Sequence, residues 1–197
     1  MSNIAKASVL VKGTRPYFFH SFGRDSIPLE RQVRTGKAGN DPEEWRKTVC
    51  QTGDGQLFVK SSQVFATIRD GSKYTRKGRG SIQKDVIATL LVESPEEILL
   101  DAFLPDPLTE DKAQPVYLDV RGVVNPSTRA RNVRYRVAMS PGWEVSFAIS
   151  WDATIVAEAQ MHAALIDAGR MVGIGNGRSI GMGRFEVVSF DVHEEKE

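Results

Sequence analysis

The sequence predicts an α+β fold on a βαββαβ plan, an antiparallel sheet with two helices covering one face. Three observations predict it. Residues 132–151 alternate apolar and polar side chains with the period of two expected of strands half-buried in a sheet. Two stretches, one after Ser61-Ser62 and one after Asp152, repeat apolar residues at helical spacing. Five glycines, Gly173, Gly175, Gly177, Gly181 and Gly183, separate the second helical stretch from a last strand-like segment.

Taken in order, residues 7–12 and 17–22 are rich in β-branched and aromatic side chains, broken by Gly13 and Pro16, and read as one strand continuing past a kink. Residues 23–40 are polar and basic with no apolar period, which predicts a mobile excursion. Asp41-Pro42-Glu43-Glu44 has the form of a helix start with Asp41 as cap, and the helix is short, ending near Thr52. Gln56 to Lys60 is a brief strand, and Ser61 or Ser62 caps a helix carrying Val64, Phe65 and Ile68 on one side. Residues 82–92 suit a short helix running into a strand, and residues 95–115 an exposed acidic insertion with one short strand at Ile98 to Leu100.

Val116 to Val124 reads as a strand. Asn132 to Ala138 pairs with Trp143 to Trp151 through the turn Met139-Ser140-Pro141-Gly142, with Arg134 and Arg136 on the wet face opposite Val133, Tyr135 and Val137. Asp152 caps a helix with Ile155, Ala159, His162 and Ile166 on its apolar stripe, ending at Gly169. Arg184 to Asp191 is the last strand, followed by a frayed charged tail.

The 197 residues, 41% hydrophobic and 26% charged, fit a single domain over residues 1–197 with insertions at about 23–55 and 93–115. No run approaches the roughly 18 apolar residues of a membrane span, and the first residues lack a signal peptide's apolar stretch, so a cytoplasmic protein with no membrane partner is expected. Cys50 is the only cysteine, and His20, His162 and His193 are too scattered to form metal-ligand spacing. No metal and no cofactor are expected.

Net charge is +1, which argues against a uniformly basic surface and makes the distribution informative. Arg69, Lys73, Arg76, Lys77, Arg79 and Lys84 face Asp70 alone within residues 69–84, whereas residues 93–111 hold seven acids and no base. The basic segment, with Tyr74 as a stacking platform, is a candidate phosphate-binding surface. Arg178 and Arg184, which border the glycines, suit a phosphate or a neighbouring subunit equally well. Arg129, Arg131, Arg134 and Arg136 extend the basic surface, or Arg134 and Arg136 pair across the hairpin with Glu144. Trp45 and Cys50 fit a small helix packing down, and His162 is a structural histidine.

Five glycines in the eleven residues 173–183 are costly to order, so positive φ or the close approach of a partner must require them. A dinucleotide fingerprint needs its glycines between a strand and a following helix, and here the order is reversed. A P-loop fails as well, because no Gly-Lys-Ser or Gly-Lys-Thr follows. The sequence of helix, glycine-rich loop and final strand resembles the RAMP superfamily, RNA-recognition-like proteins of CRISPR systems that carry such a loop in a ferredoxin-like (RRM-like) unit. Within it the chain looks most like the backbone subunits that polymerise along guide RNA, through Tyr17-Phe18-Phe19-His20 after the first strand, Val59-Lys60-Ser61-Ser62 at the helix start, and the basic segment 73–84. It is also similar in layout to uncharacterised bacterial and phage proteins.

The resemblance implies non-catalytic binding of single-stranded nucleic acid, RNA favoured over DNA, by a subunit that oligomerises along the strand or joins a larger nucleoprotein complex. Lys60, Ser61 and Ser62 join the contacts on this reading. Two alternatives stand beside it: a metal-independent endoribonuclease with His20 as general base, and a phage or mobile-element protein that binds other proteins by imitating a CRISPR backbone subunit.

Overall fold

The computed structural model describes residues 3–21, 41–124, 129 and 131–193, and the expected excursion at 23–40 and the charged end at 194–197 lie outside them. In strand β1 (Ile4–Gly13) Ala7, Val9 and Val11 turn inward while Lys6, Ser8 and Lys12 face water. Strand β10 (Glu144–Asp152) does the same with Val145, Phe147, Ile149 and Trp151, and the two pair antiparallel with Val9 opposite Phe147 and Val11 opposite Val145. Each large side chain hidden this way contributes roughly 1.5–3 kcal/mol. Strand β11 (Phe185–His193) flanks β1 on the other side, and the two-residue β6 (Leu91–Val92) flanks β10.

The sheet order is therefore β11-β1-β10-β6, with every neighbouring pair antiparallel. Helix α2 (Ser61–Gly71) lies in the chain between β1 and β6, and helix α4 (Glu158–Asp167) between β10 and β11. The helix α2 buries Val64, Thr67, Ile68 and Gly71, and α4 buries Met161, Ala164 and Leu165, each set one face at helical spacing. The two helices pack on each other and on the sheet. A Cβ at Gly71 would lie 2.4 Å from the Ala168 backbone, so the glycine lets the end of α2 touch the turn that follows α4. That turn, Ala168–Val172, is a π-helical one, of the kind frequent at functional sites.

A second sheet has β9 (Arg131–Met139) at its centre, β8 (Val116–Val124) on one side and β2 (Tyr17–Phe18) on the other. Two small ribbons complete the set, β3 (Gln56–Lys60) with β7 (Glu97–Phe103), and β4 (Arg76–Lys77) with β5 (Gly80–Ser81). Short helix α1 (Glu44–Thr48) packs on β9, and α3 (Gln83–Thr89) on α2 and β10. The chain is thus a mixed α+β protein with antiparallel sheets. No helix among the described residues is long and apolar enough to cross a membrane.

Several sequence expectations are corrected. The hairpin of 132–138 with 143–151 does not form: β9 pairs with β8 and β2 in one sheet, and β10 with β1 and β6 in the other. The turn at 139–142 instead carries the chain from one sheet to the other, held by the Gly142 N–H on Gly13 O and the Gly13 N–H on Trp143 O, 2.7 Å each. Residues 7–12 and 17–22 are not one strand either, because after Pro16 the chain joins the second sheet, where Tyr17 pairs with Met139.

Neither Ser61 nor Ser62 caps α2, which begins at Ser61 after an extended Lys60. Asp152 ends β10 and accepts the Thr154 N–H in a tight turn, and α4 starts only at Glu158. Its core stripe is therefore Met161, Ala164 and Leu165, while Ile155 and Ala159 are exposed and His162 stacks on Phe190 at 4.9 Å. The strand expected at 98–100 extends over all of β7, since Ile98 and Leu100 both reach the core.

Candidate functional site

The five glycines all adopt positive φ, between 67° and 84°. Gly183 is the tightest: φ is 67°, and a Cβ there would stand 1.8 Å from the Ile174 carbonyl oxygen. Within the loop Ile174 N–H donates to Gly183 O at 2.9 Å, and Gly183 N–H donates to Pro16 O at 2.7 Å, which ties the loop to the link between the two sheets. The Asn176 N–H donates to Phe18 O at 2.9 Å. The loop folds back on itself through these bonds, and by contrast the N–H groups of Gly175, Gly177, Arg178 and Ser179 have no acceptor among the described residues.

Those four residues line a groove of about 700 Å³ between the glycine-rich loop and the end of α2. Asp70, Lys73, Tyr74, Gln83, Met171, Val172 and Asn176 complete its walls. The basic segment facing the loop is pinned: the buried Thr75 hydroxyl donates to Asp167 Oδ2 at 2.7 Å, the Ser72 hydroxyl to Arg69 O at 2.7 Å, and the Gln83 side-chain amide to Arg69 O at 3.0 Å. Tyr74 leaves this frame 48% exposed.

Asp70 takes Arg69 Nε at 2.8 Å on one carboxylate oxygen and Arg178 Nη1 at 3.1 Å on the other. Partial burial pushes its pKa up, but the hydrogen bond and charge of Arg69, with those of Arg178, outweigh it and hold the carboxyl below the usual carboxylate range. An ionised Asp70 thus aims Arg178 at the groove while leaving most of the guanidinium's five donors unused. Lys73 and Arg178 against Asp70 leave the groove one net positive charge, with Tyr74 exposed across from the loop residues 175–179.

Of the sequence's candidate contacts, the structure brings Lys73, Tyr74 and Arg178 to this groove with Gly175 and Gly177, and Arg69 beside it through Asp70, while Gly173, Gly181 and Gly183 do not line it. Arg76, Arg79 and Lys84 are exposed on the ribbon β4–β5 and on α3 without lining it, and Lys77 is bound to Asp85 at 2.7 Å. Lys60, Ser61 and Ser62 sit at the opposite end of α2, roughly 16 Å away by the length of eleven helical residues. Arg184 lines a different groove. His20 lies outside this groove too: its side chain is 10% exposed, 3.7 Å from Glu44 Oε1, and its pKa is lowered by burial, with Glu44 opposing and Arg134 and Arg136 adding to the effect.

The second sheet holds what sequence reasoning missed. Arg136 and Arg134 are not on a wet hairpin face. Arg136 is 5% exposed, stacked 4.7 Å from the Phe18 ring, with Nη2 3.3 Å from Asp119 and Nη1 donating to Asn176 Oδ1 at 2.6 Å. Arg121 lies 4.6 Å from the same ring and grips Asp119 with two hydrogen bonds, and Arg134 pairs with Glu44 of α1. Glu144, expected opposite these arginines, instead meets Lys12 at 3.2 Å. Asn176 is the link from this buried charge cluster to the glycine-rich loop, and its place between two glycines was the one signal the sequence carried. Among the described residues no His, Cys, Asp and Glu cluster could hold a metal ion.

No protein-family profile and no curated protein sequence matches the chain. Among solved structures it is similar to a chain in the cryo-EM structure of the Type III-B Cmr-beta bound to cognate target RNA, at 12% identity and a TM-score of 0.49, over 97% of this chain. The match covers 61% of the neighbour, so this chain spans about three-fifths of that chain's length. A likeness at that level says nothing about what this chain binds.

Proposed function

We propose that the chain binds single-stranded nucleic acid, RNA in preference to DNA, in the groove between the glycine-rich loop and the basic end of α2. The observation that carries the reading is the convergence there of Lys73, Arg178 and the free amides of Gly175, Gly177, Arg178 and Ser179 around the exposed Tyr74 ring. Cations and amides would hold phosphates, and Tyr74 would stack on a base, an interaction worth about 1–3 kcal/mol. The order β11-β1-β10-β6 with α2 and α4 between its strands supports a ferredoxin-like unit over the single domain, with 23–55 and 93–115 as insertions. The chain on this reading is a RAMP-like subunit of a nucleoprotein assembly or of an oligomer along the strand, and it does no chemistry.

A titration of labelled single-stranded RNA and DNA of mixed sequence across a salt series tests it. Wild type should bind with affinity falling steeply as salt rises, RNA more tightly than DNA. A Tyr74→Ala variant should weaken binding about 5- to 150-fold, the equivalent of the stacking energy, and Lys73→Gln should lower the salt slope by about 0.7. Absence of binding to either nucleic acid at low salt would sink the reading.

A further inference from the structure

Three guanidiniums meet in a second groove that the sequence did not single out. It has a volume of about 500 Å³ and is walled by Arg15, Arg170 and Arg184 with Glu186 as the one acid. Its net charge of two positive exceeds that of the first groove, where Lys73 and Arg178 face Asp70. Neither the Arg15 nor the Arg170 side chain has an acidic partner among the described residues, and both are exposed. Unpaired like charges gathered around one concavity repel one another, an arrangement that an anionic ligand would relieve.

The frame beneath them is fixed. The Thr14 and Arg15 N–H groups both donate to Arg184 O, at 2.8 and 3.2 Å, and Trp143 Nε1 donates to Arg15 O at 2.8 Å. Arg184 Nη1 reaches Arg170 O at 2.5 Å. Gly169 lets the π turn press against β11, since a Cβ there would be 2.2 Å from Phe185 O. The same turn divides the two grooves: Gly169 and Arg170 line the second, and their immediate successors Met171 and Val172 line the first. A phosphate chain leaving the first groove over Met171 would meet Arg170 next.

We infer that Arg15, Arg170 and Arg184 form a second phosphate-binding subsite, which takes phosphodiesters of the same strand held in the first groove and so continues its track across the π turn. This rests on the nucleic-acid reading of the first groove. The test compares wild type, Lys73→Gln/Arg178→Gln and Arg15→Gln/Arg170→Gln in salt titrations of an oligouridylate of about twelve nucleotides, with thermal melting as a control for folding. Arg15 and Arg170 are exposed, so the second variant should melt like wild type and lose about 1.4 from its salt slope, near 0.7 for each single-strand phosphate contact removed.

A slope equal to wild type in that variant, while wild type binds and Lys73→Gln/Arg178→Gln binds less, would overturn the second subsite and leave the first standing. If wild type does not bind the oligomer at all, both fall together. Retention of polyglutamate by wild type but not by Arg15→Gln/Arg170→Gln, with oligouridylate slopes unchanged, would assign the groove to an acidic protein and overturn the phosphate reading.

Discussion

The two principal sheets solve the same packing problem with different chemistry. In β11-β1-β10-β6 the inward positions are alternating apolar residues, and Val9, Phe147, Ile149 and Trp151 are each 5% exposed or less. In β2-β9-β8 one row of positions carries Tyr117, Asp119 and Arg121 on β8 opposite Ala138, Arg136 and Arg134 on β9. The first sheet is held by dispersion and the hydrophobic effect, which tolerate small shifts. The second takes charge out of water, and the buried Arg136 relies on Asp119, Asn176 and Phe18 for its Nη groups and ring face while its Nε has no partner among the described residues. Because Asn176 belongs to the glycine-rich loop, the second sheet anchors the proposed binding groove, while the first supplies the platform from which α2 and the π turn reach it.

The contrast can be broken at its apolar end first. Trp151→Ala removes a fully buried ring that stacks on Phe190 at 5.9 Å and donates to Val156 O, and should lower stability by about 4 kcal/mol in denaturant unfolding. Binding by the molecules that remain folded should be unchanged. Arg136→Ala should cost about 3 kcal/mol, the lower end for a broken buried pair because Arg121 still compensates Asp119. Here, unlike Trp151→Ala, the folded fraction should also bind oligonucleotide more weakly, as the Asn176 side chain loses its tether while only its N–H on Phe18 O remains. Equal binding by the two variants would break the link drawn between the second sheet and the loop.

Inside the loop the comparison sharpens to two glycines. Gly183→Ala combines a positive φ with a clash on Ile174 O and should cost more than about 2 kcal/mol, whereas Gly181→Ala, with φ of 81° and no atom within 4 Å of the added Cβ, should cost only about 1–2 kcal/mol. Unfolding curves of both variants measure the difference, and equal losses would show that backbone conformation alone dictates these positions.

The smallest expected effect is in pH. Burial lowers the His20 pKa in the folded state, so the unfolded chain binds more protons near neutrality and stability rises with pH through that range. Stability should therefore fall as pH drops from about 7 through the ordinary histidine pKa near 6.5 towards the lowered folded value. His20→Gln should flatten that fall in melting temperatures measured between about pH 7 and 5, and an unaltered slope would remove His20 as its source.

How much of this was legible in the sequence follows from the range of the interactions. The alternation in β10, the bounds of β3 and β8, and the helix-then-strand at 82–92 are local patterns, and they stand as read. The requirement behind the glycines was legible too, since positive φ is a property of the residue itself. What the sequence could not decide was the partner of each strand. β9 has as good an alternation as β10, yet Arg136 on its supposed wet face is buried, because a period of two says that two faces differ and not which of them meets water. The charged residues that matter were likewise sorted only by folding: Lys73 and Arg178 are 105 residues apart and share a groove, while Lys77 beside Lys73 is spent on Asp85. By itself the sequence determined an α+β chain with a costly glycine-rich loop before its last strand. Tertiary structure alone decided which arginines are buried and which line a groove, because desolvation and pairing depend on what the chain brings alongside each charge.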